Sequence, residues 1–525
     1  MTLSAAKLDK NVERRLAMLA KNDVVRRIWD KDPTVWGGTP QTPELADRLG
    51  WLTVIDWTEA QLDALAALAA DVRGRFDRVL LLGMGGSSLA PEVLARSFGR
   101  QDGFPSFDML DSPHPAAVMV IGERQPIERT LFIVASKSGT TIETTRLFEY
   151  FWERTAQKGP QFVAITDPGT PLARLARDSG FRAVFENPED IGGRYAALSL
   201  FGMLPAALMG LDVRGLLASA RAMAEACRGA PAANPGARLG ALIAEAALGG
   251  RDKLTLGMDP IVRTFGLWME QLVAESTGKD GKGVIPVADE DLSEPPPYAD
   301  DRVFVALNVA GTRDSATTLA FRTLEGRGHP VHHIEIADRY ALGGEFFHWE
   351  FATAVAGHVL GVNPFDQPNV AEAKQRTSEL LGRTGGPEGT AGRADTAKEL
   401  IKLLDGVASG DYLAILAYMA PSSATDRRLI DLQTRLRDRL RAAVTVAYGP
   451  RYLHSTGQLH KGGPPKGHFI QVIDPTLPKL PLPHAVPALA NLTWAQAAGD
   501  YEALAARGRP IAQAVGLNAL EDAVR

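Results

Sequence analysis

Ser136, Lys137, Ser138, Thr140 and Thr141 place four hydroxyls and an amine within the stretch VASKSGTTIETT (134–145). Short hydroxyls and backbone N–H groups at the start of a helix can satisfy a phosphate's oxygens without a metal. Capping the helix alone would need only one such side chain. A related turn stands upstream in LLGMGGSSLAP (81–91), where Gly85 and Gly86 allow close backbone approach and Ser87 and Ser88 add hydroxyls. Its G-x-G-G spacing differs from the G-x-G-x-x-G of a dinucleotide-binding turn. Two such turns on neighbouring strands suit a single phosphate pocket. Proton chemistry has a candidate in Glu275, which ends the apolar stretch RTFGLWMEQLVAES (263–276). Gln271 lies four residues earlier and shares its helix face. A carboxylate at the end of a buried helix suits a general base. A solvated helix-end glutamate is the simpler alternative.

Other stretches carry weaker signals. IGGRYAALS (191–199) sets Arg194 behind two glycines, either as a surface charge or as a fixed cation in a cleft. NPFDQPNVAEAK (363–374) is a turn followed by a helix carrying Lys374. YLHSTGQLHKGG (452–463) is a loop with His454 and His460 beside glycines, whereas His332 and His333 in an apolar strand read as packing. Two histidines six apart without a helical pattern make a poor metal site. The chain has no H-E-x-x-H, Walker A or EF-hand signature.

These motifs need elements to hold them. From Arg78 onward the chain repeats short apolar strands, small-residue turns and helices, the pattern of a parallel sheet covered on both faces. The expected organisation is a helical segment over 1–75, a first α/β domain over 76–215 and a helical connector over 216–249. A second α/β domain over 250–381 and a helical C-terminal arm over 382–525, bearing the histidine loop, complete it.

The composition narrows the function. The 525 residues hold 57 Lys and Arg against 62 Asp and Glu, a net charge of −5. That balance argues against a nucleic-acid coat protein while leaving room for a small basic pocket. The single cysteine, Cys227, excludes intramolecular disulfides and cysteine metal clusters and fits a reducing compartment. The N-terminus is a charged amphipathic stretch without a signal-peptide core, and no apolar run approaches the ~18 residues of a membrane span. A cytoplasmic protein without nucleic-acid or membrane partners is expected.

In combination and order, GMGGSSLAP, SKSGTTIET, IGGRYAALS, QLVAESTGK and NPFDQPNVAEAK resemble the phosphoglucose isomerase family, built from two sugar-isomerase (SIS) domains. The resemblance implies an α/β fold of two doubly wound parallel sheets. It also implies interconversion of glucose 6-phosphate and fructose 6-phosphate without cofactor or metal, with a dual phosphomannose activity as a related option. By resemblance, Gly86, Ser87, Ser136, Ser138, Thr140 and Thr141 would hold the sugar phosphate with Lys137 nearby. Glu275 would move the proton between C1 and C2, Arg194 would stabilise the enediolate, and Gln271 would lie beside the sugar. Lys374 would assist ring opening. A sugar-phosphate sensor would need the hydroxyl turns but no such base. The family's ring-opening histidine stands before the lysine motif, whereas here the similar HSTGQLHKGG follows it. A rearranged chain path is therefore expected to bring His454, or alternatively His460, to the cleft. Gly139 stands where many members carry an aromatic. The tail most resembles the isomerase portion of transaldolase–isomerase fusions, and an isomerase alone is expected. The resemblance further implies a homodimer whose clefts borrow residues from the second subunit.

Overall fold

The computed structural model describes residues 4–124, 126–311, 315–382, 395–475, 477, 478, 480 and 489–525, the side chains of 315, 316 and 371–374 excepted. Three parallel sheets organise them. The first has strand order β2-β1-β3-β4-β5, with β1 Arg78–Gly83, β2 Ser106–Leu110, β3 Thr130–Ala135, β4 Phe162–Thr166 and β5 Ala183–Glu186. β1 and β3 are buried throughout, as expected for strands covered on both faces. Their register pairs Gly83 with Ala135, so the two hydroxyl-rich turns leave the sheet side by side at its carboxyl edge.

The second sheet runs β7-β6-β8-β9, from β6 Lys253–Met258, β7 Ile285–Val287, β8 Arg302–Val309 and β9 Val331–Ile336. Helix Phe265–Thr277 crosses between β6 and β7. Helix Leu342–Leu360 is apolar on nearly every side and is buried almost throughout, as that pattern requires. A continuous core joins the N-terminal helices to both sheets.

The C-terminal region departs from the expected helical arm. It contains a third parallel sheet, β11-β10-β12-β13, built from β10 Tyr412–Tyr418, β11 Ala443–Tyr448, β12 Gly467–Ile473 and β13 Ile511–Val515. The physical reason lies in runs such as YLAILAY: a strand buried on both faces loses its alternation and reads like a buried helical segment. One face of this sheet has its own core around Leu413, Ile415, Leu432 and Leu520. The other packs Tyr412, Leu416 and Phe469 with Ala274, Ile285, Tyr452 and Leu459, so the third sheet is joined to the second beside Glu275.

Candidate active site

Helix Phe265–Thr277 is buried along nearly its whole length and carries Gln271 and Glu275 inward. Arg194 lies on the short turn Gly193–Tyr195 and is 2% exposed. The Arg194 Nη1 stands 3.4 Å from Glu275 Oε1. The rest of the guanidinium is fixed by neutral acceptors: Nε donates to Ser276 Oγ at 2.8 Å, Nη1 to Gln367 Oε1 at 3.0 Å, and Nη2 to the carbonyls of Pro364 and Asp366 at 2.7 and 2.9 Å. Gln271 Nε2 donates to Glu275 Oε2 at 3.2 Å and to the His454 carbonyl at 2.7 Å. The guanidinium thus faces the carboxylate at a distance longer than a close hydrogen bond while its other donors are anchored elsewhere.

Lys279 stands behind this pair. Its ammonium donates to the carbonyls of Asn363 and Asp366 and to Asp366 Oδ1 at 2.5–2.6 Å. Burial first, and then Arg194, bring it down to about 8.

The turn after β1 presses against this centre. A Cβ on Gly85 would fall 2.7 Å from the His454 carbonyl oxygen, and one on Gly86 would fall 2.0 Å from that of Gly193. Only glycine permits these approaches. Ser87 is buried beside them. In the adjoining turn Ser136 Oγ and Thr141 Oγ1 share a 3.0 Å hydrogen bond, as do Ser138 Oγ and Thr140 Oγ1 at 2.9 Å. Thr141 precedes helix Ile142–Arg154 without capping it by its side chain, so the first N–H groups of that helix are not satisfied by this hydroxyl. Gly139 has φ +65°, and a Cβ there would meet the Leu172 nitrogen at 2.9 Å, which explains why an aromatic does not stand here. Lys137 turns to the Asp167 carboxylate and the Glu189 carbonyl instead of toward its neighbouring hydroxyls.

The two histidines part company. His460 is 3% exposed, with its ring 5.0 Å from Phe469 and 6.0 Å from Tyr452. Burial pushes its imidazole well below the ordinary range, with Lys461 and Arg509 adding to the effect. It is a packing residue of the third sheet's core. His454 stands beside the Arg194–Glu275 centre, its carbonyl held by Gln271, and its Nε2 is 2.8 Å from Glu143 Oε1. Burial would raise the Glu143 carboxyl, but His454 beside it, aided by a 2.5 Å hydrogen bond from Gln496 Nε2, holds it at about 2. Glu143 and Gln367 both stand inside motifs quoted from the sequence, yet their roles were missed. A glutamate in a helix's first turn reads as a partner of the helix dipole. Lys374 falls in helix Val370–Gly382, and its side chain lies outside the described residues. Among the described residues no group of three His, Cys, Asp or Glu side chains could hold a metal ion, and no helix is long and apolar enough to cross a membrane.

The structure thus brings together a carboxylate beside a fixed guanidinium, a glycine-serine turn packed against them and a carboxylate-paired histidine. Comparison with known proteins bears on this arrangement. Residues 69–285 match a sequence model of the family described as phosphoglucose isomerase. The chain is 30% identical over 410 residues to the glucose-6-phosphate isomerase of Heliobacterium modesticaldum, covering 66% of this chain and 88% of that protein. This chain belongs to the phosphoglucose isomerase family. Another member, the glucose-6-phosphate isomerase of Rubrobacter xylanophilus, is 31% identical over 382 residues, or 62% of this chain and 88% of that protein. Solved structures carry the same fold. A hypothetical protein of Thermus thermophilus superposes with a TM-score of 0.63 at 22% identity, over 73% of this chain and all of that one. A glucose-6-phosphate isomerase from Chlamydia trachomatis superposes with a TM-score of 0.59 at 16% identity, over 71% of this chain and 86% of that one. Over the parts that superpose, this chain therefore shares the α/β fold of these structures.

Proposed function

We propose that this chain interconverts glucose 6-phosphate and fructose 6-phosphate, with Glu275 as the base. The observation that carries the reading is the buried Glu275 carboxylate 3.4 Å from Arg194, bordered by two turns rich in hydroxyls and N–H groups. In the open-chain aldose, Glu275 takes the C2 proton, and electron density moves through C1 onto O1. The resulting enediolate is negative, and Arg194 opposes that charge as it develops, where electrostatic stabilisation accelerates reaction. Glu275 then delivers the proton to C1, and O2 becomes the ketone oxygen as its proton passes to O1. The phosphate, held by Ser87, Ser136, Ser138, Thr140 and Thr141 around Gly86, anchors the sugar and supplies orientation.

Ring opening precedes this step. The C1–O5 bond breaks, the O1–H proton departs and O5 gains one. His454 is the group for that transfer. Its carboxylate partner Glu143 is an ionised acceptor, so Nε2 carries the hydrogen between them and Nδ1 remains to exchange a proton with the sugar. Lys374 assists with the sugar hydroxyls, on the family resemblance.

A coupled assay of glucose 6-phosphate formation from fructose 6-phosphate, run in EDTA, tests the reaction, and Glu275→Gln tests the base. Full turnover by that variant would end the assignment. The same reading places the enzyme in the cytoplasm as a homodimer, in line with its single buried cysteine and with the family resemblance. Arg194, Glu275 and His454 of each cleft would come from one chain. Mixing Glu275→Gln with His454→Ala should then restore no activity. Recovery on mixing would mean that clefts exchange residues between copies.

A further inference from the structure

Helix Leu489–Ala506, between β12 and β13, carries among its buried polar side chains Gln496 and Asp500, which the proposed reaction does not use. Gln496 and Asp500 are four residues apart and share one face. They are 4% and 0% exposed. Gln496 Nε2 donates to Glu143 Oε1, the same oxygen that holds His454. Asp500 accepts from Tyr452 Oη at 2.5 Å through Oδ2 and from the Lys461 ammonium through Oδ1. Tyr452 precedes His454 by two residues, and Lys461 follows it by seven. Tyr452 Oη also lies 3.0 Å from Tyr418 Oη at the end of β10. One helix face therefore holds the histidine's carboxylate partner and both ends of the segment bearing the histidine.

Stability alone gives this arrangement little reason. Removing a lysine and an aspartate from water costs about as much as their attraction returns, and an apolar pair of the same shape often serves as well. What a buried ionic network can supply is a single geometry. The segment 449–463 needs one, because four of its fifteen residues are glycines. Proton transfer requires heavy atoms within about 2.6–3.2 Å.

We propose that Asp500 and Gln496 are positioning residues for His454: Asp500 clamps the segment through Tyr452 and Lys461, and Gln496 orients Glu143 against the imidazole. The C-terminal sheet is on this account a support for ring opening supplied within the same chain. The inference rests on the reading of His454 as the ring-opening group, and its test separates the two.

Asp500→Asn and Gln496→Met are assayed with cyclic glucose 6-phosphate and with an analogue that lacks the C4 and C5 hydroxyls and so stays open. Each variant should lower kcat on the cyclic sugar roughly tenfold, with KM and turnover of the open analogue changed by less than about twofold. In a His454→Ala background neither variant should lower cyclic turnover further, because each acts through that side chain. Gln496→Met leaves the Asp500–Lys461 pair intact and so keeps the test available if Asp500→Asn fails to fold. Equal losses on both sugars, or further loss in the His454→Ala background, would make the helix a general structural support and overturn the proposal. If His454→Ala itself spared the cyclic sugar, the ring-opening reading would fall, and the positioning role with it.

Discussion

The Arg194–Glu275 centre and the hydroxyl turn at 136–141 are linked through Gln271, His454 and Glu143 but are organised in opposite ways. Arg194 is buried, and four acceptors besides Glu275 fix its donors, three of them on the 364–367 turn. Its charge is therefore in place before any substrate charge appears, so little reorganisation is required when an enediolate forms. In the other region Ser138 and Thr140 are exposed, and the hydroxyls pair with one another, Ser138 Oγ also accepting from the Thr140 backbone N–H at 3.3 Å. A hydroxyl pair can open and turn to a phosphate oxygen by rotation alone. The contrast assigns the work: one region stabilises charge that exists briefly, and the other captures charge that the ligand always carries.

The largest effect should come from the first region. Glu275→Gln removes the base and should lower kcat by roughly 10²- to 10⁴-fold, while the variant still binds substrate, as titration with glucose 6-phosphate can check. Arg194→Lys keeps a cation but loses the fork that bridges Glu275, Ser276 and the 364–367 turn. It should lower kcat about 10²-fold with a smaller change in KM. If KM rose and kcat stayed, Arg194 would be a docking residue and the division of labour would be wrong.

The hydroxyl turn should respond in the converse sense. Ser136→Ala with Thr141→Ala removes two donors to an anion and should raise KM roughly tenfold or more, with kcat little changed. Inorganic phosphate should weaken as a competitive inhibitor in parallel. A fall in kcat at unchanged KM would mean that these hydroxyls touch the reacting carbons instead.

These two regions were also unequally legible from the residues alone. The strand–turn–helix pattern exposed both hydroxyl turns, because a glycine or serine cluster between an apolar strand and a helix has few other uses. Glu275 and Gln271 could be paired by their four-residue spacing. Which way a long side chain turns could not be read: Lys137 goes to Asp167 because that carboxylate lies across the turn from β4, a tertiary fact. His454 and His460 have similar neighbours in sequence, and only burial among Tyr412, Tyr452 and Phe469 separates them. The third sheet escaped because its central strands β10 and β12 are buried on both faces, and YLAILAY shows no alternation. Glu143 escaped because its partners come from 311 and 353 residues away.

The smallest expected effect sharpens the role of fixed charge behind Arg194. Lys279 holds the Asn363 and Asp366 carbonyls, and Arg194 shares the latter. Burial and the Arg194 charge bring its ammonium to about 8 in the folded chain, against an ordinary 10.5. As pH rises through about 8 the folded chain loses this proton, and the turn behind Arg194 loses a charged donor. Turnover should therefore fall with an apparent midpoint near 8, by about fivefold if the charged hydrogen bonds contribute roughly 1 kcal/mol. Stability should move the other way. Between about 8 and 10.5 the unfolded chain still binds the proton that the folded chain has released, so this group's contribution to folding rises with pH. Lys279→Met should flatten both trends, giving at neutral pH the reduced turnover that the unaltered enzyme reaches above pH 8. A turnover limb near pH 8 that survived in Lys279→Met would belong to another group, and the rigidity of the Arg194 site would then owe nothing to the charge behind it.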